Sequence, residues 1–126
     1  ISVLCIPIDC NSSLGLYDNR CHGIRLLGGS EHLRERNTAS VEQLTSAKGG
    51  TTLQLMADNK TLSACYENSQ TLLWRDSGAL AATICLVATC LGLTSVVLGR
   101  TGASLSIGQG LEDLQAVGAV HLGAPT

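Results

Sequence analysis

Phenylalanine is absent from this chain of 126 residues, and one tryptophan and two tyrosines supply every aromatic ring. Apolar residues still make up 44% of the sequence, so the core has to come from Leu, Val, Ile, Ala and Cys. Small aliphatic side chains let elements approach closely. They also bury less area than rings do, at about 25 cal/mol per Å². A single domain built this way gains from association with a second chain. Clustered basic residues are absent too: eight Lys and Arg against ten Asp and Glu leave a net charge of −2. Phosphate-backbone recognition requires clustered cations, which excludes nucleic acid as the expected partner.

Cys5, Cys10, Cys21, Cys65, Cys85 and Cys90 include no C-x-x-C spacing, so no zinc or other metal site is expected. No signal-peptide pattern accompanies them, and the expectation is reduced, structural thiols in a cytoplasmic setting. Cys21-His22 is an adjacent pair with two readings, an activated thiol or part of a turn. A G-x-S-x-G elbow is missing, and no spacing ties Asp9, His22 and the serines into a triad. Glu112 and Asp113 are adjacent, and neighbouring helix positions do not face each other, so they read as a solvated face. His121 lies between apolar neighbours and reads as a satisfied core or edge histidine. The chain opens at Ile1 directly in a strand-like run, as a chain beginning part-way through a domain would.

The most informative segment that is present is Trp74 to Arg100. Between Asp76 and Arg100 it carries no charge. A bilayer span needs roughly 20 apolar residues, and Ala79 to Gly99 is that long. Gly92 is a helix-stop signal, however, and Val96-Val97-Leu98 reads as a strand. The run therefore divides into a helix and a strand, each too short to span, and a membrane location is disfavoured.

The rest of the chain reads as a meander of short strands, Val3 to Asp9, Leu14 to Tyr17 and Ile24 to Leu27. One or two short surface helices follow Ser30, the better over Thr38 to Ala47, with Thr38 or Ser40 as N-cap. Thr51 to Ala57 partly alternates polar and apolar residues, as in a strand half-buried on one face. Leu62 to Gln70 is helical, and Leu72 to Leu91 is the long apolar helix, with a break near Gly78. Thr94 to Leu98 is a strand, Leu105 to Leu114 a short helix interrupted by glycines, and Val117 to Leu122 a last strand. The expected fold is one α+β domain over 1–126, a mainly antiparallel sheet packed on a long buried apolar helix. A helix apolar on every face must be covered on every face, so a second layer comes from another chain or from a missing part of the domain.

Leu14-Gly15-Leu16-Tyr17-Asp18 followed by Ile24-Arg25-Leu26-Leu27 resembles the hairpin of nitroreductase-like FMN flavoproteins, in particular the branch that oxidises azolines in peptides. Asp76-Ser77-Gly78-Ala79 and Ala88 to Gly92 are similar to that family's D-A-G helix and its A-x-x-L-G-L-G ending. Ser95 to Gly99 resembles the strand and loop that follow, without the family's proline, and Val117 to Gly123 resembles the closing strand. The resemblance covers most of the chain and corresponds to a truncated, C-terminal portion of the family's domain. It implies an FMN-dependent oxidoreductase, or one half of one, usually an intertwined dimer with flavin at the interface. NAD(P)H or an organic substrate would donate the hydride.

By the same resemblance Val97, Leu98 and Gly99 form the loop whose backbone approaches the flavin ring. Arg100 stands where the family has a small residue. It either pairs with phosphate or the flavin pyrimidine, or is a solvated loop arginine. Tyr66 matches the aromatic half of a catalytic Lys-Tyr pair whose lysine is here Cys65, and otherwise reads as a packed helix aromatic. Ala79 replaces a family histidine. The family's FMN-phosphate grip has no counterpart, so a homodimer mate or a second chain has to supply it. Two other functions stay open: a flavin-free scaffold that keeps the dimerisation core, and a small membrane-associated protein using residues 79–99.

Overall fold

The computed structural model describes residues 1–8, 14–28, 31–105, 107–108 and 110–124. Among the described residues six strands form one antiparallel sheet: β1 (Ser2–Ile8), β2 (Gly15–Asp18), β3 (Gly23–Leu26), β4 (Gly50–Ala57), β5 (Thr94–Val97) and β6 (Gln115–Gly123). Their order across the sheet is β3-β2-β1-β4-β6-β5. Among the same residues three helices accompany it, α1 (Glu31–Thr45), α2 (Asn59–Cys65) and α3 (Ser69–Cys90), together with a 3-10 turn at Ala103–Leu105. The α+β class and the mainly antiparallel sheet are as the sequence implies.

Side-chain alternation divides the core between the two sheet faces. Leu4, Ile6 and Ile8 of β1 face α1, where Leu33, Val41, Leu98 and Leu105 pack on them. Val3, Leu55 and Val120 point the other way, onto Leu73 and Ala81 of α3. Leu33, Asn37 and Val41 are the buried positions of α1, one per helical turn. That stripe makes α1 one helix rather than two short ones. Thr38 is interior, its hydroxyl turned back onto the Arg34 carbonyl oxygen at 2.7 Å, and so it caps nothing.

The helix expected over Leu62 to Gln70 is broken. Asp58 caps α2, its carboxylate accepting from the Thr61 N–H at 3.1 Å. The chain is extended at Tyr66, and Asn68 takes left-handed backbone angles immediately before α3. No break occurs at Gly78, and α3 runs on to Cys90. It ends as a Schellman motif: Gly92 is left-handed and donates to Thr89 at 3.1 Å, while Leu93 donates to Ala88 at 2.9 Å. Residues 79–99 are accordingly a helix end, a turn and a strand. The helical part, residues 79–90, is roughly 18 Å long, short of a bilayer core of roughly 30 Å. The whole of α3, Ser69–Cys90, is long and apolar enough to cross one, with 22% of its most apolar window buried.

That low burial corrects the expectation of a buried helix. One stripe of α3 (Leu73, Ser77, Ala81 and Ala88) is seated on the sheet. Leu86 and Leu91 are about two-thirds exposed, at 70% and 69%, and Val87 and Trp74 are also open to solvent. One sheet covers one side of a helix, and nothing else among the described residues covers the other. One further expectation is revised. Where it is described, Leu105 to Leu114 follows the end of the 3-10 turn with further turns and no α-helix, and residues 106 and 109 lie outside the described set. The turn expected at 10–13 lies outside the described residues.

Candidate functional site

Strand β4 crosses the middle of the sheet and is buried on both faces, not one. Leu53 and Leu55 turn toward α3, while Thr52 and Gln54 turn toward α1 and are fully buried. Buried polar groups require partners, and here they form a directed chain. Arg100 Nη2 donates to Asn37 Oδ1 at 2.6 Å, and Asn37 Nδ2 donates to Thr52 Oγ1 at 2.9 Å. The Thr52 hydroxyl lies 3.0 Å from His121 Nδ1, and His121 Nε2 lies 2.7 Å from the Gly49 carbonyl oxygen. A carbonyl oxygen can only accept, so Nε2 carries the proton and Nδ1 accepts from Thr52. Both ring nitrogens of His121 are thereby satisfied, in keeping with the core histidine expected at that position.

Arg100 is the polar end of this chain. Its Nη1 donates to Gln54 Oε1 at 2.9 Å, and its Nε is buried without a partner. Burial pushes the guanidinium below its ordinary range, and its named partners are neutral amides. Arg100 is thus neither a solvated loop residue nor turned outward toward a phosphate. Gln54 Nε2 donates to the carbonyl oxygens of Thr101 and Gly118, each at 2.8 Å. Gly102 has φ +104, and a Cβ there would meet the Gln54 amide at 2.5 Å. The segment leaving β5 is therefore closed down directly onto β4.

The other proposed cofactor residues precede this clamp. Leu98 is buried in the α1-side core and donates to Ala119 at 2.9 Å. Val97 is 55% exposed at the end of the edge strand. Gly99 is exposed, and an added Cβ would meet nothing within 4 Å. This is an open, apolar patch of backbone on a fixed base. The one cation in the segment, Arg100, is engaged inward with Gln54 and Asn37 and is not presented to a phosphate.

Tyr66 lies elsewhere. It is 58% exposed and lines a cavity of about 290 Å³ with Ile1, Asp58, Leu62, Cys65, Leu73 and Asp76. None of residues 97–100 lines that cavity, so the structure does not bring Tyr66 together with the β5 loop. Tyr17 donates to or accepts from His22 Nδ1 at 2.9 Å across the β2–β3 turn. Cys21 and His22 belong to that turn. Among the described residues no group of His, Cys, Asp and Glu is placed to hold a metal ion.

A second cavity, of about 450 Å³, lies on the α3 side of the sheet between Tyr17, Leu53, Ile84, Val87, Leu91 and Leu122. It joins the uncovered stripe of α3 to the open sheet. Asn37, Thr52 and Gln54 carried no functional reading in the sequence. The available signal was the Thr-x-Gln pattern of β4, which looks like an ordinary solvent face. No family model matches this chain, and no curated protein matches it.

Proposed function

We propose that this chain is the ring-binding part of an FMN-dependent, nitroreductase-like oxidoreductase. It acts as a homodimer, or with a second chain that supplies the phosphate grip. The observation that carries this reading is the surface at the end of β5: Val97 exposed as the last residue of a strand packed against the uncovered helix α3, and Gly99 open in the bend that follows. A glycine there leaves room for a ring to approach the backbone. The bound flavin would accept a hydride from NAD(P)H or an organic substrate. Val97, Leu98 and Gly99 would support the ring, and Arg100 would stabilise their loop from beneath. Tyr66, remote from that loop, has no assigned part in this reading. The uncovered apolar stripe of α3 supports a second protomer as the missing layer, since oligomer interfaces resemble a domain core cut in half.

The inward engagement of Arg100 favours a second reading, a flavin-free scaffold that keeps the dimerisation core. An absorbance spectrum of the purified chain with and without FMN, together with its mass in solution, separates the two. A flavin spectrum on a dimer is expected. Gly99→Val should abolish flavin retention without unfolding the chain, because the added atoms enter open space. A colourless protein indifferent to FMN would eliminate the flavin reading and leave the scaffold. A monomer that binds FMN by itself would eliminate the interface.

A further inference from the structure

We infer that two copies of this chain pack face to face, each laying the exposed side of α3 into a trough over β1, β2 and β3 of the other. The inference rests on the reading above for the second protomer alone, and it holds with or without a flavin.

The trough follows from the width of the sheet. Six strands roughly 4.8 Å apart span about 24 Å, which is room for two helices side by side at roughly 8–10 Å between axes. Among the described residues α3 takes the side of β5 and β6. Helix α2 reaches the same core near Ala57, through Leu62. Between β4 and β3 a strip roughly 14 Å wide stays open, enough for one more helix of roughly 10–12 Å. The cavity of about 450 Å³ lies where this strip meets α3.

Alternation decides what lines the floor. Tyr17 pairs with Ile24 and Gly15 with Leu26, so these residues share one face, while Leu16 and Arg25 share the other. Leu16 packs toward the α1-side core, and Tyr17 lines the α3-side cavity with Leu53. The charged residue of β3 is thus on the far side, and the floor is uncharged. Ile24 is 50% exposed there and Leu26 67%. A sheet face meant for solvent carries polar residues instead. Helix α3 has the reciprocal deficit. Residues 77–90 carry no charge, and Leu86, at 70% exposure, stands away from the stripe seated on the sheet. The chain lacks a sheet for the outer side of its helix and a helix for the open half of its sheet. A second copy supplies both.

Size favours this reciprocal arrangement. The uncharged part of α3 is roughly 21 Å long, and helix and trough each present roughly 250 Å² in projection. Two seats together cover roughly 1,000 Å², the level that specific interfaces clear. Helix against helix alone would cover about half of that. A two-fold pair fills both seats at once and closes, leaving no free end for a fibre.

The test uses the whole chain without FMN. Sedimentation equilibrium gives the monomer–dimer Kd of wild type, Leu86→Asp, Leu26→Lys and an equimolar mixture of the two variants. Both residues are exposed, so each variant should keep the wild-type circular dichroism; Ile24→Lys replaces Leu26→Lys if the latter unfolds. Wild type should be a dimer. Each variant alone sets a charge against an apolar surface in both seats, and its Kd should rise at least about a hundredfold. The mixture should recover the dimer, because one seat then pairs the new carboxylate with the new ammonium and the other seat is wild type. A wild-type monomer at high micromolar concentration, or a chain kept soluble only by detergent, would overturn the second copy as occupant. Loss of the dimer in Leu86→Asp with Leu26→Lys unaffected would mean helix against helix and overturn the trough. A mixture that stays monomeric would overturn the reciprocal seat. A dimer that meets all these expectations and leaves added FMN free would defeat the flavin reading and leave this inference standing.

Discussion

Removing one oxygen atom from the middle of the sheet should cost more than removing most methyl groups at the surface. Thr52→Val keeps the shape of the side chain and deletes the hydroxyl that joins Asn37 to His121. Both partners are buried, Asn37 at 0% exposure and His121 at 3%. After the change one Asn37 N–H and the His121 Nδ1 lone pair lose their partners, each costing about 1–3 kcal/mol. The expected loss is therefore about 2–6 kcal/mol, a large share of a domain stability of about 5–15 kcal/mol. For a chain of this size that corresponds to a fall in Tm of roughly 8–24 °C. Thr52→Ser is the control. It keeps the hydroxyl and gives up one methyl, costing about 1 kcal/mol. Thermal and urea unfolding followed by circular dichroism at fixed protein concentration would measure both, the concentration being held because association shifts apparent stability. The reasoning is refuted if Thr52→Val lies within about 0.5 kcal/mol of wild type, or is more stable than Thr52→Ser.

Gly50→Ala should destabilise by about 2 kcal/mol or more, because Gly50 has φ +98 and its added Cβ would run into the Leu122 carbonyl oxygen; urea unfolding reads it. Asp58 has a carboxyl held below its usual range by bonds from Thr61. Its contribution is present above the ordinary carboxylate value and disappears as pH falls through the lowered one, so Asp58→Asn should flatten the stability profile around pH 4 and below. Burial pushes the Cys5 thiol up, and Cys21, Cys65 and Cys90 are exposed. Alkylation at neutral pH followed by mass spectrometry should therefore label those three before Cys5.

The strands and the long helix are legible in the sequence because their signals are local. The Gly92 stop divides the apolar run where the Schellman motif is found, and strands β4 and β5 fall within a residue or so of their expected limits. The break at Tyr66 to Asn68 is not legible in the sequence, because it depends on a left-handed asparagine, which leaves no periodic mark. The site was less legible. Thr52 and Gln54 alternate with leucines in a way that reads as a wet face, and only the position of α1 makes that face interior. Arg100 stood out as a lone charge after an apolar run, but its direction depends on Asn37 and Gln54, far away in sequence. The coverage of α3 is likewise a property of what surrounds the helix, not of its composition.

The strand order has a consequence for how the chain comes to be folded. Central strand β4 pairs on one side with β1, Ser2 opposite Met56, and on the other with β6, Thr51 opposite Leu122. Its two neighbours are therefore the first and last strands among the described residues. During synthesis Leu55 and Leu53 remain without their β6 partners until Gln115–Gly123 has been made. Pairing over such separations is slow, and the waiting strands present open edges. The growing polypeptide is thus prone to aggregate until β6 is complete, and a truncation that removes β6 should yield insoluble protein rather than a smaller folded domain.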